Sequence, residues 1–172
     1  MEDVAHPQEL LYAERLTDWV LRLAPEASEP LLLAARSQHI RRWTVPRASY
    51  EMTRTGYLKW RADLKQFHAA QSAEILKEVG YDEETIRRVR DLNLKKLLGR
   101  DADCQVLEDA LCLVTLQYQL TDLVAKTDPA KIVEILRKTW KKMSQTARDQ
   151  ALALAYSDLE KQLLEQALSG AG

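Results

Sequence analysis

The chain has 172 residues, 46% of them hydrophobic and 30% charged, with a formal net charge of -1. That length builds a substantial core without disulfide or metal staples, and the composition is that of a globular protein rather than a disordered or fibrous one. No apolar run reaches the roughly 18 residues of a membrane span, and the isoelectric point near 6.3 argues against a dedicated nucleic-acid binder.

Helical periodicity and caps punctuate nearly the whole sequence. Pro7 opens a first helix in which Leu10, Leu11, Leu16, Val20 and Leu23 recur at helical spacing. Ser28-Glu29-Pro30 caps a second helix, predicted to run to about Trp43. Residues 44–56, with Pro46 and Gly56, read as a basic loop. A third helix is predicted from Tyr57 to Val79, stopped by Gly80. Asp82 caps a fourth, with Gly99 past its end; Asp101 or Asp103 opens a fifth that runs to about Lys126. Asp128-Pro129 starts a sixth, and Ser144 and Ser157 cap two short final helices. No alternating apolar run demands a sheet. The expectation is an all-α single domain of seven to eight helices, with a core over about 7–126 and helices 128–168 packed on it.

Charge is unevenly spread. Residues 1–30 hold seven acids and two bases, whereas residues 36–66 hold eight bases (Arg36, Arg41, Arg42, Arg47, Arg54, Lys59, Arg61, Lys65) and two acids, a local excess of six positive charges. Six of the eight are arginine, suited to bidentate recognition of phosphate or carboxylate. The densest part is Ala34-Ala-Arg-Ser-Gln-His-Ile-Arg-Arg-Trp43, where an apolar helix ends in Arg36, Gln38, His39, Arg41 and Arg42. Such costly polar groups imply a pocket for an anion, a metal or both.

The third helix carries Tyr57, Arg61, Leu64, His68, Gln71 and Ile75 on one face, mixing polar and apolar groups as a pocket wall does. The fifth helix is apolar nearly all round, as buried helices are. Asp109 lies on its apolar line Val106, Leu113, Leu116, Leu120 and needs a cation or strong donors; a salt bridge to an arginine and a ligand role both satisfy that. Glu108 reads as peripheral. His39 and His68, each expected inside a helix, and Asp109 from a third helix form a candidate metal set. His6 reads as terminal surface. Cys104 and Cys112, eight apart on one predicted helix, are separated by about 12 Å of rise, too far for a disulfide. Together with an acidic N-terminus lacking a secretory pattern, this gives a cytoplasmic expectation.

The segments ARSQHIRRWTVPRASYEMTRTGYLKWRADLKQFHAAQSAEILKEVGYDEETI, LEDALCLVTLQ and KIVEILRKTWKKMS resemble the family catalogued as domain of unknown function 4202, over most of the chain. That family name implies no activity. A more distant resemblance is to the HD superfamily of metal-dependent phosphohydrolases, whose Ala-Ala-x-x-His-Asp-Ile phrase is matched by Ala34-Ala-Arg-Ser-Gln-His-Ile40. The resemblance puts Gln38 at the histidine position of the doublet, His39 at its aspartate position, Glu14 at the first histidine and Asp109 at the last aspartate. The doublet itself is therefore not intact, and Gln38 is a poor transition-metal ligand.

Three readings follow. The first is a metal-dependent, hydrolase-like enzyme: a divalent ion on Glu14, His39, His68 and Asp109, His39, His68 and Asp109 also serving catalysis, and Arg36, Gln38, Arg41, Arg42, Tyr57 and Arg61 holding an anionic phosphate- or carboxylate-bearing substrate. In that reading Tyr50 or Tyr57 closes the pocket. The second is a metal-free binder or enzyme for an anionic metabolite or nucleotide, with His39 and His68 as hydrogen-bond donors or a general base. The third is a helical interaction module that uses Lys138, Lys141 and Lys142 beside Trp140.

Overall fold

Side chains start the helices by accepting from backbone N–H groups that the first turn leaves without partners. Ser28 Oγ caps Leu31 at 3.4 Å, Thr53 Oγ1 caps Gly56 at 3.1 Å, Asp82 Oδ1 caps Thr85 at 2.9 Å and Asp128 Oδ1 caps Ala130 at 2.9 Å. Ser144 and Ser157 act as expected, capping Ala147 at 3.2 Å and Glu160 at 3.3 Å. Of the two candidates for the fifth helix, Asp101 is the cap: its Oδ1 accepts from Cys104 N–H at 2.9 Å.

The computed structural model describes residues 8–169, and among these every regular element is helical. The α-helices are α1 (Gln8–Leu23), α2 (Glu29–Arg36), α3 (Arg54–Glu78), α4 (Glu83–Asn93), α5 (Ala102–Val114), α6 (Leu120–Lys126), α7 (Pro129–Lys142), α8 (Gln145–Leu152) and α9 (Asp158–Ser169). Short 3-10 turns at Arg42–Thr44 and Arg47–Ser49 connect α2 to α3. The all-α expectation is met. The described helices exceed the expected number by one because a π-helical segment, Thr115–Gln119, divides the long helix predicted to reach Lys126. His6 and Pro7 lie outside the described residues.

The chain groups into two compact units, Met1–Leu107 and Glu108–Gly172. That boundary falls inside α5, rather than after residue 126 where the sequence places the end of the core. In the first unit α2 packs on α1 and α4, and α3 packs on α4. Leu16, Val20, Leu31, Ala35, Val89 and Leu92 are fully buried there. In the second unit α7 packs on α9, and α6 on both. Ile132, Leu136, Leu163 and Leu164 are buried in this unit.

The main departure is at α2, which stops at Arg36 and not near Trp43. Its last carbonyls are drawn away from the helical ladder. Ser37 Oγ and Gln38 Nε2 both donate back to Ala34 O, at 3.3 Å each. Such local bonds compete with helix propagation. Arg41 then takes a left-handed backbone, φ 52°, which ends the turn. His39 therefore sits in an irregular turn and not inside a helix.

A buried amide pins that turn. Asn93, at the end of α4, donates from Nδ2 to Ser37 Oγ and to Ser72 Oγ on α3, both at 3.0 Å. Its Oδ1 accepts from Gln38 Nε2 at 2.6 Å. One side chain thus ties the end of α2 to α3 and α4. The following loop is held as firmly. Arg47 donates to the carbonyls of Tyr50, Glu51 and Thr53 at 3.1, 2.6 and 3.3 Å. Trp60 Nε1 donates to Val45 O at 3.0 Å. Gly56 is required where this loop meets α3, because a Cβ there would collide with the Glu51 carbonyl oxygen.

Asn93→Ala removes three hydrogen bonds at once, those to Ser37 Oγ, Ser72 Oγ and Gln38 Nε2, which keep only their bonds to Ala34, His68 and Ala69 carbonyls. The expected loss is about 3 kcal/mol, at about 1 kcal/mol for each bond lost. Thermal unfolding is expected to fall by roughly 6–12 °C; an unchanged melting temperature would remove the structural role assigned to this amide.

Candidate functional site

The turn held by Asn93 delivers His39 against α1 and α3. Its ring stacks on Tyr12, with centroids 3.7 Å apart and planes 8° from parallel. The His68 ring, on α3, lies 6.1 Å from His39, and Phe67 meets His68 edge-on at 5.8 Å. Arg42 Nη1 approaches His39 Nε2 at 2.9 Å. A guanidinium has no acceptor, so Arg42 donates, His39 Nε2 is the unprotonated nitrogen and the ring proton sits on Nδ1. The Arg42 guanidinium also lies over Trp60, 4.9 Å from the ring centroid.

This cluster is strongly positive. Burial, then the charges of Arg42, His68 and Arg61, push His39 down to about 3. Burial, then Arg42 and Arg61, push His68 down to about 4. Arg42 is itself lowered, first by burial and then by Arg61. Both imidazoles are therefore neutral at pH 7, surrounded by guanidinium charge. No carboxylate of the described residues lies within salt-bridge distance of Arg42 or Arg61. His68 is only 6% exposed, and its Nε2 is buried with no hydrogen-bond partner. A buried polar atom without a partner is rare and calls for an explanation.

The remaining candidates fall into distinct places. Tyr57 joins the cluster through Trp60, ring to ring at 5.9 Å. Arg41 is exposed at the rim and donates to Gln71 Oε1 at 2.7 Å. Arg36 is exposed at the end of α2. Gln38 is structural, its amide spent on Asn93 and Ala34. Tyr50 is also engaged, donating to Asp63 Oδ2 at 3.0 Å. Glu14 is half-buried on α1.

Asp109 belongs to the second unit, where its Oδ1 accepts from the backbone N–H of Ser144 at 2.8 Å. That bond holds the start of α8 against α5, a use neither of the two sequence alternatives anticipated. Glu108 is not peripheral. It is 3% exposed, and Lys142 Nζ stands 3.5 Å from its Oε1. Both acids thus meet donors within the second unit. The cationic face of α7 is partly spent in the same way, with Lys138 paired to Glu134 at 3.2 Å and Arg148 donating to Trp140 O at 3.0 Å.

Among the described residues no group of three or more His, Cys, Asp or Glu side chains could hold a metal ion. The physical reason is visible at His39, whose free lone pair already receives an Arg42 N–H. A cation there would also face two guanidinium groups. What sequence reasoning missed is the company of the histidines: Tyr12 and Trp60 lack any chemical motif and could be placed only by the fold.

A concavity of about 670 Å³ elsewhere in the first unit is lined by Ser28, Pro30, Glu84, Thr85, Arg87, Arg88, Asp91 and Asp103. Within it Arg88 pairs with Asp101 at 2.8 Å and with Asp103 at 3.0 Å.

Residues 1–164 match the family described as Domain of unknown function (DUF4202), and the chain belongs to that family. No curated protein and no solved structure gives a significant match. No helix among the described residues is long and apolar enough to cross a membrane.

The two depressed histidines set a pH dependence. Their ordinary value is 6.5, and the folded values are about 3 and 4. Between pH 4 and 6.5 the unfolded chain therefore binds more protons than the folded one. Stability is expected to fall as pH drops through that window, by at most about 1.4 kcal/mol per pH unit for each histidine. Melting curves from pH 7.5 to 4.5, in buffers free of phosphate and carboxylate, should show His68→Gln flattening this decline. A slope that the substitution leaves untouched would mean His68 is not held neutral by the fold.

Proposed function

We propose that this DUF4202 protein binds a small phosphate- or carboxylate-bearing molecule, without a metal, at Arg42, Arg61 and His68. The single observation that carries the reading is the buried His68 Nε2 without a partner, close to the Arg42 and Arg61 guanidinium charges. An anion answers both. It neutralises excess charge, and its oxygen accepts from the imidazole nitrogen once that nitrogen is protonated. Arginine on a turn and arginine on a helix approach one anion from different elements, which favours oriented recognition over loose attraction.

The electrostatics favour binding over general-base catalysis. A base works best with a pKa near the operating pH, and His68, at about 4, lies well below it. The HD-like resemblance would add a hydrolytic reaction and a divalent ion on Glu14, His39, His68 and Asp109. The arrangement around His39 lends that version no support, whereas the preference for a phosphate-bearing ligand survives without it.

Titration calorimetry with inorganic phosphate, pyrophosphate and a dicarboxylate, paired with thermal unfolding, tests the reading. A ligand at a hundredfold excess over its dissociation constant adds about 2.7 kcal/mol of stability, or roughly 5–10 °C. Arg42→Ala and Arg61→Ala are each expected to weaken binding about 10- to 100-fold, the scale of one charge-assisted hydrogen bond. EDTA should leave the affinity unchanged. Absence of any shift with all three anions would defeat the proposal, and an EDTA-sensitive affinity would return the metal.

A further inference from the structure

Tyr57 stands beside the cation cluster with much of its ring in solvent, and Trp43 is exposed in the turn that also carries Arg42. Tyr57 is 45% exposed and Trp43 is 65% exposed. Both are tied to the anion-binding groups. Trp43 follows Arg42 in the same 3-10 turn. Tyr57 precedes Arg61 by one turn of α3, and its ring is 5.9 Å from Trp60, the ring that carries the Arg42 guanidinium at 4.9 Å. No hydrogen bond to the Tyr57 hydroxyl or the Trp43 indole nitrogen occurs among the described residues.

The backbone beneath these rings is rigidly supported. Val45, two residues from Trp43, is bonded to Trp60, and the Arg47 guanidinium gathers the carbonyls of Tyr50, Glu51 and Thr53 just before α3. Exposed rings on a braced backbone differ from exposed rings on a loose one. These bonds set where the two side chains leave the backbone, and Tyr and Trp have few rotatable bonds to immobilise. A flat, weakly hydrated face beside fixed positive charge is complementary to a ring that carries an anionic group. Inorganic phosphate would use the guanidiniums and leave both rings idle.

We propose that the anion held by Arg42, Arg61 and His68 is attached to a flat aromatic or heteroaromatic ring, which stacks on Tyr57 and Trp43. This rests on the anion-binding reading above and adds to it the class of molecule: an aryl or heteroaryl phosphate or carboxylate.

Calorimetry on the full chain with four probes separates the two claims: inorganic phosphate, glycerol phosphate, phenyl phosphate and adenosine monophosphate. The ring-bearing probes are expected to bind about 5- to 100-fold tighter than the ringless ones, the range of one base–aromatic stack. Trp43→Ala and Tyr57→Ala should each remove that increment, read within each variant as the ratio of phenyl phosphate to glycerol phosphate affinity. Tyr57→Phe, which retains the ring and its packing on Trp60, should preserve it. Arg42→Ala should weaken all four probes alike. Equal affinities for ring-bearing and ringless probes, or an increment that survives both alanine variants, would overturn the stacking inference while leaving the anion site in place. No binding of any probe would overturn both.

Discussion

The carboxamide of Asn93 is the point on which the rest of the first unit depends. It sits at the end of α4 and bonds to the terminal turn of α2 through Ser37 and Gln38, and to α3 through Ser72. A satisfied buried polar network specifies one arrangement because any shift leaves its members without partners. Here the specified object is the turn containing His39. Apolar packing alone would hold α2, α3 and α4 together but would not choose where that turn points. The amide makes the choice, and the stacking of His39 on Tyr12 follows from it.

With the turn fixed, charge decides the chemistry. Some ions of the described residues are paired: Arg88 meets Asp101 and Asp103, Lys96 meets Asp91, and Lys142 approaches Glu108. Arg42 and Arg61 meet no such acid among the described residues. The fold tolerates them together by keeping both imidazoles neutral, so the repulsion is between two charges instead of four. Spreading Arg42 over the Trp60 ring face offsets part of what remains.

The helices were legible because caps and periodicity are local. Ser28, Asp82, Asp101, Asp128, Ser144 and Ser157 act through residues two to four positions away, within the reach of sequence reasoning. The end of α2 was not, because nothing in Ser37-Gln38-His39-Ile40 resembles a stop signal. The stop is enforced by Asn93, more than fifty residues further on. The π segment after Val114 likewise has no glycine or proline to announce it. At the site, the clustering of arginine and histidine in the sequence drew attention to Arg42, His39, Arg61 and His68. It could not show that Gln38 faces inward to Asn93. Nor could it tell Asp109 the ligand from Asp109 the partner of Ser144, since any buried carboxylate reads alike until its donor is known.

In the proposed anion site, the unpartnered nitrogen of His68 would link stability to binding. A site that lacks its countercharge is less stable than the same fold with the charge supplied. Proton binding and anion binding then reinforce each other by linkage, because an anion beside His68 favours the imidazolium that the free protein disfavours. Affinity should therefore rise as pH falls toward the pKa of His68 in the complex, over the same range in which the free fold weakens. A purely structural histidine offers no such coupling. Its pH-dependent destabilisation would be the same with and without an anion present. His68 would thus contribute to both opposing slopes, of affinity and of free-state stability, and their opposition separates a binding role from a packing role.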